Sequence, residues 1–304
     1  MGLMFYAELG RTGVYHVQEL LHMMDVNASN PFDVSFTRSF VGHALPSSNW
    51  LRANPWRWND FNTSLDTSPD SQIVDLLLPY RDVAYRIDQV FDMMEHSGLR
   101  VLQLLQPAIY DPESYVRDPK ILSRIPKDKK SRALFSELLS GNIYHHFLYV
   151  GKKDIQTNGA VSLQDEEGLE HAVVVAHMFD PVELARNLDL WNMKYLPWKH
   201  RNLGFKLPIP DQSRRILELI DGSRTLKEIY DLLDDLDDVE SFQDFVRGPF
   251  RILYKSLNGI NKLYLTWTHA PVCSSAWCSS AKRENIHFYS LTQRTHSYHL
   301  HHHS

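Results

Sequence analysis

The chain has almost no cysteine, and what little it has excludes several classes. Cys273 and Cys278 are the only two, and their CSSAWC spacing fits neither a redox or zinc pair nor a disulfide framework, so a reducing compartment is expected. Long hydrophobic runs are also missing. The longest apolar stretches are strand-sized, which argues against a membrane-spanning helix. Met1 to Ala7 is too short for a signal-peptide core and carries no basic prefix, so a soluble, cytoplasmic protein with no membrane partner is expected. Neither sign of charge dominates: 32 basic residues stand against 37 acidic ones, a net charge of −5, too balanced for a nucleic-acid groove or a polybasic anchor. Internal repeats and the elbow signature of a serine or cysteine nucleophile are absent, so a hydrolase has no support. What is present is 304 residues, 43% hydrophobic and 12% aromatic, enough for one large domain or two small ones with a core.

The chain opens on GLMFYAELG, an apolar run of strand length. A loop and then a helix to about Met24 are expected, since Val14, Val17, Leu20, Leu21 and Met24 share one helical face. Residues 27–71 read as an irregular insertion holding Trp50, Trp56, Trp58 and His43. Helical spacing returns at Ile87, Val90, Phe91 and Met94, with Asp88 as the expected N-cap and Gly98 as the stop. Residues 99–105 read as a strand. Ser131 is expected to cap a helix that buries Leu134, Phe135, Leu138 and Leu139 and ends at Gly141, and residues 145–151 follow as a third strand. This alternation points to a piece of an α/β sheet.

The polar, aperiodic stretch 152–168 is the expected boundary between residues 1–151 and a small, mainly helical module, 152–267. That module is predicted to hold one strand (171–177) and helices near 180–190, 213–220, 225–236 and 240–257, the last kinked at Gly248-Pro249. Residues 268–304, rich in serine and histidine, are expected to be a disordered tail.

The stretches GLMFYAELGRTGVYHVQELL, LPSSNWLRANP, DLLLPYRDVAYRIDQVFDMMEHSGL, QPAIYDPESYVRDP and ELLSGNIYHHFLYVG together resemble, in order and spacing, the C-terminal part of class I S-adenosylmethionine-dependent methyltransferases of a bacterial-type subfamily with a helical extension. The resemblance covers about half the chain. It implies an α/β fold with an incomplete Rossmann-like sheet retaining its last three strands. In the family the cofactor is S-adenosylmethionine. Its Gly-rich loop and ribose-binding carboxylate belong to earlier strands, so this chain is expected to bind no cofactor and to be inactive alone toward an unknown methyl acceptor. The alternatives are a non-catalytic interaction or scaffold protein, or a fragment. LIDGSRTLKEIYDLL is loosely similar to the family's helical extension and reads as helix, turn, helix with Thr225 as a cap. Its acidic continuation DLLDDLDDVE makes nucleic-acid binding unexpected.

Glu8, Arg11 and Tyr15 follow the C-terminal end of the first strand, where α/β folds place ligands, and are the leading candidates for substrate contact. The bland alternative is a surface pair between Glu8 and Arg11. Asn49 and Trp50, with Arg52 and Asn54, lie in an insertion that could arch over a site, although tryptophans there serve more often to pin a loop. His145 and His146 are adjacent strand residues pointing to opposite faces, so they cannot converge on one metal, and no metal ligand set is expected. A first strand lacking its family neighbour would leave one edge of Leu3, Met4, Phe5 and Tyr6 open to self-association.

Overall fold

The computed structural model describes residues 1–53, 69–154, 161, 163, 168–190, 192–200, 203–233 and 239–267. The expected boundary stretch 152–168 is described in part, and the tail 268–304 lies outside the described residues, as do Asn54, Trp56 and Trp58.

The first half is built on a four-stranded mixed sheet. Strand β1 (Gly2–Ala7) leads into helix α1 (Glu8–Met23), which is followed by α2 (Pro31–Ser39), α3 (Trp50–Ala53) and α4 (Asp70–Leu77). Next come β2 (Ala84–Tyr85), α5 (Ile87–His96), β3 (Leu99–Leu104), α6 (Pro119–Leu122), α7 (Lys129–Ser140) and β4 (His145–Lys152). The strand order is β2-β1-β4-β3. β1 runs parallel to β2 and antiparallel to β4, and β3 is antiparallel to β4.

Several expectations change here. No loop separates β1 from α1, because Ala7 is still extended and Glu8 is already helical. The neighbour expected to be missing beside β1 is replaced in part by β2, which pairs with Tyr6 and Ala7 and, among the described residues, leaves Gly2 to Phe5 without a strand on that side. Among the described residues the sheet therefore has four strands rather than three. The insertion is helical over much of its described length: α2, α3 and α4 lie around α1, with Val14, Val17 and Leu21 of α1 meeting Val41, Leu45, Leu51 and Leu77 in a separate small core.

Helix ends follow local chemistry, with two substitutions of cap. Helix α5 starts after Arg86 rather than at Asp88, and Gln89 Oε1 accepts from the Arg86 N–H at 2.9 Å. Helix α7 is capped by Asp128, whose Oδ1 accepts from Ser131 N at 2.8 Å, rather than by Ser131. Gly98 and Gly141 end their helices at φ +68° and +59°, the left-handed geometry in which a side chain is costly. The buried face of α7 is Ala133, Ser136 and Glu137, while Leu138 and Leu139 are exposed. Tertiary packing has overridden the hydrophobic pattern there.

The second half contains β5 (Ala172–Ala176), α8 (Pro181–Leu190), β6 (Tyr195–His200), β7 (Leu203–Pro208), α9 (Ser213–Glu218), α10 (Leu226–Asp231), α11 (Phe242–Phe245), α12 (Arg251–Asn258) and β8 (Leu263–Trp267). It is less helical than expected, because β5 pairs with β8 and β6 with β7 in two antiparallel ribbons. Thr225 caps α10 as expected, in a reciprocal box with Glu228. The kink at Gly248-Pro249 is a π-turn joining α11 to α12. One buried apolar cluster runs from Ile87 and Leu148 through to Phe245, Phe250 and Leu265, so the core crosses from one half into the other. Ala108 N donates to Gly259 O at 2.9 Å, and Lys255 of α12 pairs with Asp111 and Glu113.

Candidate functional site

The direct passage from β1 to α1 decides where the candidate residues go. Glu8, Arg11, Tyr15 and Gln18 are spaced three and four apart, so they rise along one side of α1. Arg11 is buried, with its guanidinium 3.9 Å from the centre of the Tyr6 ring, close enough for cation–π attraction. It forms an ion pair with Asp82, which lies between α4 and β2, and both side chains are about 95% buried. Two further donors approach the same carboxylate: Tyr15 hydroxyl at 3.4 Å and Gln18 Nε2 at 3.4 Å, the latter also donating to Leu76 O at 2.8 Å.

The electrostatics follow from burial. The Tyr15 hydroxyl is pushed up to about 12, first by desolvation and then by the Asp82 charge, with Arg11 opposing. Tyr15 is therefore a neutral donor across the physiological range. The cluster is a closed ion pair, with Asp82 occupying the fork that would otherwise receive an external anion.

Glu8 stands apart. It is exposed, is not paired with Arg11, and exerts a lesser influence on Arg86, whose guanidinium is held above its ordinary value chiefly by Asp88. Asn49 accepts from Leu51 N at 3.0 Å and so initiates α3. Trp50 is half-exposed and reaches α1 at Gly13, where an added Cβ would lie 2.6 Å from its Cδ1. Gly13 is two residues beyond Arg11, about 200° around the helix. The structure thus gathers Arg11 and Tyr15, and places Trp50 on the far side of α1.

Gly10 and Gly13 are both packing positions. A Cβ on Gly10 would run into the Ile143 carbonyl, and one on Gly13 would meet Trp50 and Leu51 N. These glycines let α1 lie against the 141–144 segment and α3. They do not open a turn around a ligand.

A second buried cluster was not singled out by sequence. Glu137 of α7 accepts from Ile87 N at 2.7 Å, so its carboxylate sits at the N-terminus of α5, where negative charge is favoured. His146 of β4, also fully buried, lies 3.4 Å from Glu137 Oε1. Its Nε2 donates to Tyr85 O at 3.0 Å and its Nδ1 accepts from the Tyr110 hydroxyl at 3.0 Å. Burial, and next the Glu137 charge, hold the Tyr110 hydroxyl well above its usual range. His145 points to the other face and packs on Tyr6 at 5.3 Å. Among the described residues no group of three or more His, Cys, Asp or Glu side chains could hold a metal.

Asp82 was missed because a polar residue between two elements carries no periodic signal, and Gln18 and Tyr6 because nothing local marks them as its neighbours. Only the fold brings Asp82 to Arg11, 71 positions away.

With this geometry in view, the chain can be set beside known proteins. No protein-family model matches it, and no curated protein matches it by sequence. Solved structures do. PKMT2 from Rickettsia typhi superposes with a TM-score of 0.51 at 15% identity, over 88% of this chain and 51% of that chain. The same protein in complex with AdoHcy gives 0.50 at 15% identity, over 88% and 52%. The fold is similar to that of PKMT2 over this span. The chain spans about half the length of the solved chains it resembles. Among the described residues no helix is long and apolar enough to cross a membrane.

Proposed function

We propose that this chain is the acceptor-side portion of an S-adenosylmethionine-dependent methyltransferase, with an incomplete class I sheet, and that it is inactive until a cofactor-binding portion joins it. The observation that carries the reading is the strand-to-helix junction. In open α/β folds a glycine-rich turn after a strand lets the ligand approach the backbone and the helix N-terminus. Here α1 starts at Glu8 with no turn, and Gly10 and Gly13 are occupied by Ile143, Trp50 and Leu51. The residues present do not fit S-adenosylmethionine at this junction, so no step through it is assigned to this chain.

The likeness to PKMT2, a protein lysine methyltransferase solved with AdoHcy, supports a protein side chain as the acceptor class. Glu8 and Tyr15, which keep exposed surface beyond the C-terminal end of β1, remain the proposed acceptor-facing residues; Arg11, committed to Asp82, supports them from within, and Asn49 and Trp50 lie on the helical cap across α1. The test is a calorimetric titration of the purified chain with S-adenosylhomocysteine. Saturable binding no tighter than millimolar is expected. One-to-one binding at micromolar concentration, or turnover of labelled S-adenosylmethionine by the chain alone, overturns the proposal.

A further inference from the structure

The exposed edge of β1 carries an inference that does not depend on the methyltransferase reading. Met1 N donates to Val150 O and Val150 N donates to Met1 O, both at 2.9 Å, and Ala7 N donates to Tyr144 O at 2.8 Å. In an antiparallel pair such doubly bonded positions alternate. With the β1–β4 register of Gly2 to Tyr149 through Tyr6 to His145, the odd-numbered residues turn their backbone groups toward β4. The even-numbered ones turn theirs to the opposite edge. Tyr6 meets β2 there, but β2 is only two residues long. The N–H and C=O groups of Gly2 and Met4 are left facing outward without a strand among the described residues.

Native edge strands are protected by lysine, proline, a bulge or a covering element. The segment GLMFYA has no charge and no proline, and the one register irregularity beside it lies in β3. Its sequence also reads as a strand buried on both faces, yet Met4 is half-exposed, as are Phe147 and Tyr149 across the pair. An uncharged strand meets no repulsion from an identical one.

We propose that β1 pairs with β1 of a second copy, antiparallel about a two-fold axis at Leu3. In that register Gly2 faces the partner copy's Met4 and Met4 its Gly2, giving two doubly hydrogen-bonded pairs that use all four outward groups. Leu3 packs on its own symmetry mate. The two sheets become one continuous sheet, with each β2 flanking the junction. A second copy is the occupant because the outward groups are self-complementary: Gly2 and Met4 stand symmetrically about Leu3, so an identical uncharged strand related by the two-fold meets each donor with an acceptor.

The experiment is sedimentation of the full chain over a concentration series, in EDTA so that the histidine-rich end does not bridge copies through metal. The mass is expected to rise toward twice that of the monomer. Met4→Lys places a charge at the junction and should hold the mass at the monomer, while Phe147→Glu, on the sheet face but off the edge, should leave association intact. Should Met4→Lys fail to fold, hydrogen exchange of the wild-type Met4 amide decides, since it should slow as concentration rises. A chain that stays monomeric throughout, association that survives Met4→Lys, association lost only in Phe147→Glu, or a Met4 amide whose exchange ignores concentration would each overturn the proposal.

Discussion

Asp82→Ala is the perturbation that most directly probes the site. It removes the carboxylate from a guanidinium that is about 95% buried and leaves Arg11 with the Tyr6 ring as its main remaining compensation. Removing one partner of a buried ion pair costs about 3–5 kcal/mol, because the other charge stays desolvated. The loss also takes the carboxylate acceptor from Tyr15, and one of two acceptors from Gln18, which keeps Leu76 O. For a chain of this size each kcal/mol is worth about 2–4 °C, so a fall in melting temperature on the order of 10 °C is expected by calorimetry. Arg11→Met should cost less, because Asp82 keeps Tyr15 and Gln18 as donors. The double replacement Arg11→Met with Asp82→Leu should recover much of the loss, as an apolar pair of similar volume needs no compensation. If Asp82→Ala costs less than about 1 kcal/mol, the pair behaves as a solvated surface bridge. That result, or a double replacement no more stable than the single one, would refute the buried-pair reasoning.

Gly10→Ala should destabilise by roughly 1–3 kcal/mol in urea titration, since its Cβ meets the Ile143 carbonyl and backbone must move. Gly204→Ala, with open space at the same construction, should stay within about 0.5 kcal/mol. The raised Tyr15 hydroxyl, at about 12, makes the folded state hold a proton that the unfolded state releases near the ordinary value of about 10. Its contribution is therefore complete below pH 10 and is lost as pH rises toward 12. Tyr15→Phe should flatten that part of the stability–pH curve as followed by circular dichroism.

Local features were legible because their causes are local. The apolar runs of β1, β3 and β4, the helical stripes of α1 and α5, the stops at Gly98 and Gly141, the Thr225 cap and the Gly248-Pro249 kink all follow from residues within a few positions of one another. The opposed faces of His145 and His146 follow from strand geometry alone. The family resemblance likewise lies in the sequence, and the structure shares a fold with PKMT2.

What only the tertiary structure decided is pairing at a distance. The hairpin of β6 and β7 and the partner of β5 were invisible because a strand carries no record of what it hydrogen-bonds. Helix α7 buries Glu137 and exposes Leu138 and Leu139 because the N-terminus of α5 and His146 offer a carboxylate more than an apolar surface could. Gly10 and Gly13 are glycine because Ile143 and Trp50 lie against them, contacts set by segments far along the chain. Arg11 reads in the sequence as a substrate contact or as a surface partner of Glu8. It is committed instead to Asp82, a partner that chain folding alone brings within reach.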